Sequence, residues 1–406
     1  MKNLLVGQSG GPTAVINASL GGVISAASLH SQEIGRIYGM RNGIEGFLKG
    51  NIIDLTGMSG KDVNRLEYTP GAYLGSCRYR LPADLQDPVY SQLFEKFQEL
   101  DIGYVFYIGG NDSMDTVSRL SRHAAAIGSD IRFIGIPKTI DNDLILTDHT
   151  PGFGSAARFV ASTVREICLD AAVYDIPAVT IVEVMGRNAG WLTAASALAR
   201  KFPGDNPSLI CFPELDFDQE DFVEKVQGCL ARRPAVVVCV SEGLKDANGT
   251  LLCEYETESH TDSFGHKKLS GCGKFLEELI SHRLGVKTRA VELNVTQRCS
   301  GNLQSETDRL EAIQAGTFGV EQALLGKTGV MVTFHRTAGG APYTLTLGTE
   351  DVNLICNEEK CIPREWISAD GCDITEALAA YIRPLIQGNA VPPMKDGLPD
   401  FLYLKD

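Results

Sequence analysis

Lys138, Asp141 and Asp143 stand close together in Pro137-Lys138-Thr139-Ile140-Asp141-Asn142-Asp143, directly after the apolar run Phe133-Ile134-Gly135-Ile136. One cation and two carboxylates at the end of a strand make a reactive loop. Transfer of a phosphoryl group to an alcohol asks for a carboxylate to accept the hydroxyl proton and for cations to offset the charge of the moving group. Asp141 and Lys138 fit those two roles. The plainer reading of the same residues is an Asx-type turn, because Asp and Asn are also common turn formers.

A second polar loop, Gly109-Gly110-Asn111-Asp112-Ser113, follows the apolar run Tyr104 to Ile108. Its glycines let the backbone approach a ligand, and the Asn111-Asp112 pair offers the oxygen ligands that magnesium prefers. Capping of the following helix by Asp112 or Ser113 would use the same residues. A third loop, Gly7-Gln8-Ser9-Gly10-Gly11-Pro12, supplies backbone N–H groups before a helix, which is an ordinary way to hold phosphate and equally an ordinary tight turn. Its glycine spacing is not that of a dinucleotide-binding loop. Further on, Met185-Gly186-Arg187-Asn188-Ala189-Gly190 places Arg187 to fork onto a phosphate. Glu242, in Ser241-Glu242-Gly243, can accept from sugar hydroxyls. Arg289 and Arg298 suit a dianionic phosphate monoester as a pair, and are surface arginines when taken singly. Gly326-Lys327-Thr328 is a decoy, since Glu321 stands where a phosphate-binding loop needs glycine. His282 and His335 fall in no triad or metal spacing and are read as structural.

These loops need rigid elements to hold them. Leu4 to Val6 reads as a strand and Ala14 to Ala27 as a helix of small residues. Leu93 to Leu100 (helix) leads to Tyr104 to Ile108 (strand) and to a helix beginning near Met114. Ser155 to Ala172 (helix), Ala178 to Val184 (strand), Asn188 to Arg200 (helix), Ser208 to Phe212 (strand), Phe222 to Ala231 (helix) and Ala235 to Val240 (strand) continue the series. Such alternation predicts an α/β fold with parallel sheets and crossover helices, twice over. In open sheets of this kind the loops at the carboxyl ends of the strands gather where small ligands bind. Domains are expected over 1–150 and 151–300, with 301–406 returning to pack on both.

The 406 residues are 44% hydrophobic and 22% charged, an ordinary globular composition. A formal charge of −14 disfavours nucleic acid and anionic membrane as partners, so an anionic substrate must be drawn in by local arginines and lysines. Eleven cysteines without paired spacing point to free thiols in a reducing cytoplasm. Cys356, Cys361 and Cys372 are a poor match to zinc spacing. The first apolar run is too short for a signal peptide, and none approaches the roughly 18 residues of a membrane span.

Taken in order, the motifs resemble those of the phosphofructokinase family. The likeness runs from Gly7 to about Arg309, through Gly-x-Ser-Gly-Gly-Pro, Gly75-Ser76-Cys77-Arg78, Gly-Gly-Asn-Asp-Ser, Pro-Lys-Thr-Ile-Asp-Asn-Asp, Met-Gly-Arg-Asn-Ala-Gly, Pro213-Glu214 and Gln297-Arg298. It implies two Rossmann-like parallel-sheet domains of the phosphofructokinase type, a phosphoryl-donor domain over 1–150 and a sugar-phosphate domain over 151–300. It implies a magnesium-dependent transfer of phosphate to the 1-hydroxyl of fructose 6-phosphate, with Asp141 as proton acceptor and Thr139 and Asp143 beside it at the sugar. Met185, Gly186, Arg187, Glu242 and Arg298 would surround the sugar phosphate. Arg289 is commonly lent by a neighbouring subunit, so the resemblance also implies a homo-oligomer, dimer or tetramer.

Asp112 stands where ATP-using members have glycine, and Lys138 where many of them have glycine. Both substitutions are similar to the pyrophosphate-dependent branch, whose reaction is reversible. A carboxylate at 112 repels a nucleotide α-phosphate, while an ammonium at 138 holds pyrophosphate and the transition-state charge. The resemblance thus implies a pyrophosphate site of Gly10, Gly11, Arg78, Asp112 and Lys138. Three positions depart from the family pattern. Asn111 replaces the usual magnesium-binding aspartate, Val295 replaces a His or Tyr at the sugar phosphate, and Ala178 replaces an arginine shared across subunits. The competing readings are an ATP-dependent 6-phosphofructokinase on the same scaffold and a non-catalytic regulatory homologue.

Overall fold

The computed structural model describes residues 1–173, 175–255, 271–337 and 342–404. Its principal strands, in chain order, are β1 (Lys2–Gln8), β2 (Ile34–Met40), β3 (Ile52–Asp54), β4 (Ile102–Gly109), β5 (Arg132–Pro137), β6 (Ala178–Val184), β7 (Leu209–Cys211), β8 (Ala235–Ser241), β9 (Lys287–Glu292), β10 (Val330–Arg336) and β11 (Leu345–Asp351). The chain divides into two compact units. One comprises Met1–Ser155, Arg298–Glu359 and Gln387–Asp406, and the other Ala156–Gln297 and Lys360–Ile386.

In the first unit seven strands form a sheet in the order β11-β10-β5-β4-β1-β2-β3, parallel from β10 to β2 and antiparallel at both edges. Successive side chains of a strand point to opposite faces, so a sheet covered on both sides reads as unbroken apolar runs. That is what β1, β4 and β5 do. Leu4, Val6, Phe106, Ile108, Ile134 and Ile136 enter one core with helices Ile16–Leu29, Gly60–Tyr68 and Glu306–Leu324. Leu5, Val105, Tyr107 and Phe133 enter the other with helices Gly43–Leu48, Pro88–Glu99 and Asn111–Ile127. In the second unit β7-β8-β6-β9 is wholly parallel, and Val179, Ile181, Val236, Val238 and Val240 pack against helices Gln219–Leu230 and Cys272–Leu284. Two α/β units with parallel sheets are thus present, in agreement with the alternation of the sequence.

Two local expectations change. The helix placed near Met114 begins at Asn111, because Gly110 serves as its N-terminal flank and Asn111, Asp112 and Ser113 form its first turn. The helix expected over 188–200 is shorter, Trp191–Ala195, and tightens into a 3-10 turn over Ser196–Ala199. Residues 185–190 stay out of it. Gly186 has φ +144° and Gly190 N–H donates to Glu214 Oε1 at 2.9 Å, and neither suits the interior of a helix.

Helices Ile16–Leu29 and Glu306–Leu324 meet backbone to backbone. A Cβ built on Gly22 would lie 2.2 Å from the Ile313 carbonyl oxygen, and one on Gly316 would lie 2.1 Å from the Ser19 carbonyl oxygen. Gly316→Ala is therefore expected to destabilise the protein by about 1–3 kcal/mol, although alanine is the better helix former by about 1 kcal/mol. Chemical denaturation of the two proteins decides it; an equal or higher midpoint for the variant would show that the helices can part without cost.

Candidate active site

Strands β5, β4 and β1 are neighbours in the first sheet, so the loops after them leave its carboxyl edge side by side. Backbone bonds tie them: Lys138 N–H donates to the Gly109 carbonyl at 3.0 Å, and Ser9 N–H to the Ile108 carbonyl at 3.0 Å. The Lys138 side chain makes the strongest link. It is 2% exposed, and its ammonium donates to the carbonyl oxygens of Ser9 at 3.0 Å and Gly11 at 2.6 Å. Burial pulls its pKa down to about 8, Asp141 and Asp143 pull it back up, and Arg298 pushes it lower. At neutral pH the group is still mostly an ammonium.

The Gly7–Pro12 loop is shaped for close approach. Gly10 has φ +75°, its Cα faces Lys138 Nζ, and an added Cβ would lie 3.5 Å from that nitrogen. Beside it, Arg298 brings its guanidinium so near Gly11 that a Cβ there would lie 3.0 Å from Nη1. Residues 75–78 close the other flank: Ser76 Oγ donates to the Gly10 carbonyl at 2.6 Å, and Gly10 N–H to the Cys77 carbonyl at 3.3 Å. Exposed Arg78 follows directly. Across the loops Ser9 Oγ and Ser113 Oγ are hydrogen-bonded. The structure thus assembles Gly10, Gly11, Arg78, Lys138 and Arg298 in one unit, from chain positions 10 to 298.

The Thr139–Asp143 segment is a turn, but threonine makes it. Thr139 Oγ1 accepts from Asp141 N–H at 3.1 Å, and Asn142 takes a left-handed conformation (φ +55°) with its side chain fully buried. Thr139 N–H donates to the Pro151 carbonyl at 3.2 Å and Thr150 Oγ1 to the Thr139 carbonyl at 2.9 Å, so the loop is pinned at its base. Asp141 and Asp143 are half-buried beside the Lys138 charge.

Asn111 and Asp112 behave differently from each other. Asp112 is exposed in the first helical turn, where the helix macrodipole favours a negative charge. The Asn111 amide is turned away to the 357–358 backbone, donating to the Glu358 carbonyl at 2.6 Å and accepting from Asn357 N–H. Among the described residues no group of three His, Cys, Asp or Glu side chains is placed to hold a metal ion. The donor set here suits a hard cation that arrives on phosphate oxygens and keeps most of its water, with Asp112 as the nearest exposed carboxylate of the loop.

In the second unit the loops after β6 and β8 are laced together. Glu242 N–H donates to the Val184 carbonyl at 2.9 Å, Gly186 N–H to Glu242 Oε1 at 3.3 Å, and Ser241 Oγ to the Gly186 carbonyl. Met185 N–H donates to Gln297 Oε1 at 3.2 Å. Met185, Gly186, Arg187 and Glu242 therefore form one group at the carboxyl edge. Arg289 is not brought to it. Register pairs Arg289 with Thr180, four residues before Val184, which is roughly 13 Å down the strand at about 3.3 Å per residue. It is exposed and borders a cleft of about 320 Å³ together with Glu166, Asp170 and Lys287. Val295 is 48% exposed, and Ala178 lines the same cleft as Arg289.

Sequence reading gave no role to the residues behind these loops. Glu214 Oε1 accepts from Gly190 N–H at 2.9 Å and Ile362 N–H at 3.1 Å, holding the 185–190 loop. In the first unit Asp308 accepts from Gly152 N–H and Ser155 N–H, both at 2.9 Å, and caps the helix that leaves the Asp141 loop. Burial raises its pKa to about 6. One turn on, Glu311 Oε2 lies 2.7 Å from His149 Nε2, and Asp148 Oδ2 lies 2.8 Å from Nδ1. Burial of the ring works against a charge on it, but Glu311 and Asp148 together outweigh that and raise the His149 pKa above the ordinary imidazole value. Asp-His followed much later by an acid at helical spacing from another acid is a faint signal, and nothing local connects them.

The chain belongs to the phosphofructokinase family: the family model "Phosphofructokinase" matches residues 3–323. Two relatives are alike over nearly their whole length. It is 42% identical over 410 residues to the pyrophosphate–fructose 6-phosphate 1-phosphotransferase of Xanthomonas campestris pv. campestris, covering 100% of this chain and 96% of the relative. It is 40% identical over 400 residues to the enzyme of the same name from Halomonas elongata, covering 98% and 94%. The crystal structure of the pyrophosphate-dependent phosphofructokinase from Nitrosospira multiformis superposes with a TM-score of 0.91 at 39% identity, over 100% of this chain and 96% of that one.

A raised His149 pKa has a pH signature. The folded value lies above the unfolded one, so the stabilisation is fully present below about pH 6.5 and is lost as pH rises through the folded value. His149→Gln is expected to lose about 3–5 kcal/mol of unfolding free energy in the acidic window. The gap to the wild type should narrow as pH rises; denaturant titrations at a series of pH values that give a constant gap would mean the ring titrates alike in the folded and unfolded states, and a widening gap that it is held neutral.

Proposed function

We infer that this protein transfers a phosphoryl group from pyrophosphate to the 1-hydroxyl of fructose 6-phosphate, giving fructose 1,6-bisphosphate and phosphate, and that it runs in either direction. The observation that carries the reading is the charge arrangement at the carboxyl edge of the first sheet. A buried ammonium at Lys138 stands beside the carboxylates of Asp141 and Asp143, with Asp112 exposed on the adjoining loop. The near full-length likeness to enzymes bearing that name supports it.

Asp141 takes the proton of the 1-hydroxyl, whose oxygen then attacks the terminal phosphorus of pyrophosphate as the bridging P–O bond breaks. Thr139, bonded to the Asp141 N–H, and Asp143 fix the carboxylate toward the sugar. Lys138, held rigidly by two carbonyls, meets the charge that builds on the transferring group, and a fixed cation in a dry site needs no rearrangement to do so. Gly10, Gly11 and Arg78 hold the pyrophosphate. Asp112 would be the side chain to hold a magnesium ion, which would supply neutralising charge to pyrophosphate, while the Asn111 amide serves the 357–358 turn. Met185, Gly186, Arg187, Glu242 and Arg298 receive the sugar phosphate. Arg289, in mid-strand and exposed, serves a neighbouring copy in a homo-oligomer, and Val295 and Ala178 leave that subsite with fewer polar contacts than the family pattern.

No helix among the described residues is long and apolar enough to cross a membrane. We place the enzyme in the cytoplasm, where its phosphorylated substrates and free thiols are at home.

Asp141→Asn is expected to slow turnover in both directions by on the order of 10²–10⁴-fold with little change in substrate KM. Near-normal turnover would remove Asp141 from the role of base. For the donor, initial rates with pyrophosphate and with ATP are compared on the wild type and on Asp112→Gly. The wild type is expected to use pyrophosphate alone and the variant to gain ATP or to lose pyrophosphate. Wild-type turnover with ATP only would replace the donor and leave the base standing.

A further inference from the structure

Away from these loops the second unit holds a pair of cysteines with a lysine beside them. Lys225 lies on helix Gln219–Leu230, and its ammonium contacts Asp221 Oδ2 at 2.7 Å, the Asp370 carbonyl at 3.0 Å and Cys372 Sγ at 3.1 Å. Cys211 is the last residue of β7. Next to it, Ile210 N–H donates to the Cys372 carbonyl at 2.9 Å, which sets the two cysteines side by side. Both line a small cleft of about 80 Å³ with Leu215, Phe217 and Lys225. Cys211 is buried and Cys372 half-buried, so a small molecule entering the cleft meets Cys372 first.

We propose that Cys372 and Cys211 are an oxidisable dithiol that reacts with hydroperoxides and closes to a disulfide, with Cys372 as the attacking sulfur and Cys211 as the resolving one. The electrostatics divide the pair in that sense. The neighbouring Cys211 thiol and the Lys225 ammonium bring Cys372 down to about 7, while the Cys372 sulfur and burial drive Cys211 well up. A thiolate is the nucleophilic form. The Cys372 thiolate attacks the outer oxygen of the hydroperoxide. An S–O bond forms, the O–O bond breaks, and the departing alkoxide or hydroxide takes up a proton. Cys372 is then a sulfenic acid. The Cys211 sulfur attacks it, the S–S bond forms, the S–O bond breaks, and hydroxide leaves as water with the Cys211 proton. Two thiols are oxidised by one electron each and one peroxide is reduced. The new bond fastens the end of β7, just before Glu214 and its hold on the 185–190 loop, to the 367–374 hairpin.

The test is peptide mapping by mass spectrometry of the full-length protein after a brief, small excess of hydrogen peroxide and alkylation of remaining thiols. Expected is a cross-linked pair containing Cys211 and Cys372, lighter by two hydrogens, cleaved by a dithiol reductant and absent from Cys372→Ser. In Lys225→Met the cross-link should form on the order of tenfold more slowly, as expected for a thiol returned toward its ordinary pKa. The wild-type map alone can overturn the proposal. Oxygen retained on Cys372 without a cross-link would do so, as would a link from Cys372 to Lys225. So would oxidation of exposed Cys299 or Cys361 while the pair stays reduced.

Discussion

An ammonium stripped of water is among the costliest groups to bury, and the first unit is arranged around one. Left without partners, Lys138 would simply lose its proton. Its two carbonyl partners, Ser9 and Gly11, belong to a loop more than a hundred residues earlier, so satisfying the charge also fixes the distance between the ends of β5 and β1. The glycines at 10 and 11 keep that loop open to a ligand while its carbonyls turn inward to the lysine.

The second unit solves a similar problem with the opposite sign. There a carboxylate, Glu242, reaches back to the Gly186 N–H and stitches β8 to β6. In both units adjacent parallel strands end together, so side chains distant in sequence arrive at one edge without any long loop to carry them. Parallel pairing thus does the positioning, and the loops are left free to carry the chemistry.

Much of this was legible in the residues. The unbroken apolar runs 104–108 and 133–136, each followed by glycine or charge, reveal buried parallel strands and the loops that matter. What the sequence concealed has a common cause. Asn111 reads as a metal ligand until the 357–358 turn is seen to occupy its amide, and Arg289 reads as a partner of Arg298 until the β9 register sets it down the strand from the 185–187 loop. Likewise His149 is an unremarked histidine in the chain and a clamped one in the fold, because Glu311 arrives from a helix far along the sequence. Local patterns disclose elements, whereas contacts between remote segments decide which polar atoms are already spoken for.

The first unit is drawn from three separate stretches of chain, and β10, which pairs with β5, comes almost two hundred residues after it. During synthesis β1, β4 and β5 can associate early, but the free edge of β5 and the groove prepared by Gly22 must wait for residues 306–336. The second unit's sheet strands all emerge in that interval, between 178 and 292. A nascent chain therefore carries an open sheet edge while the nearly two hundred residues between β5 and β10 are made.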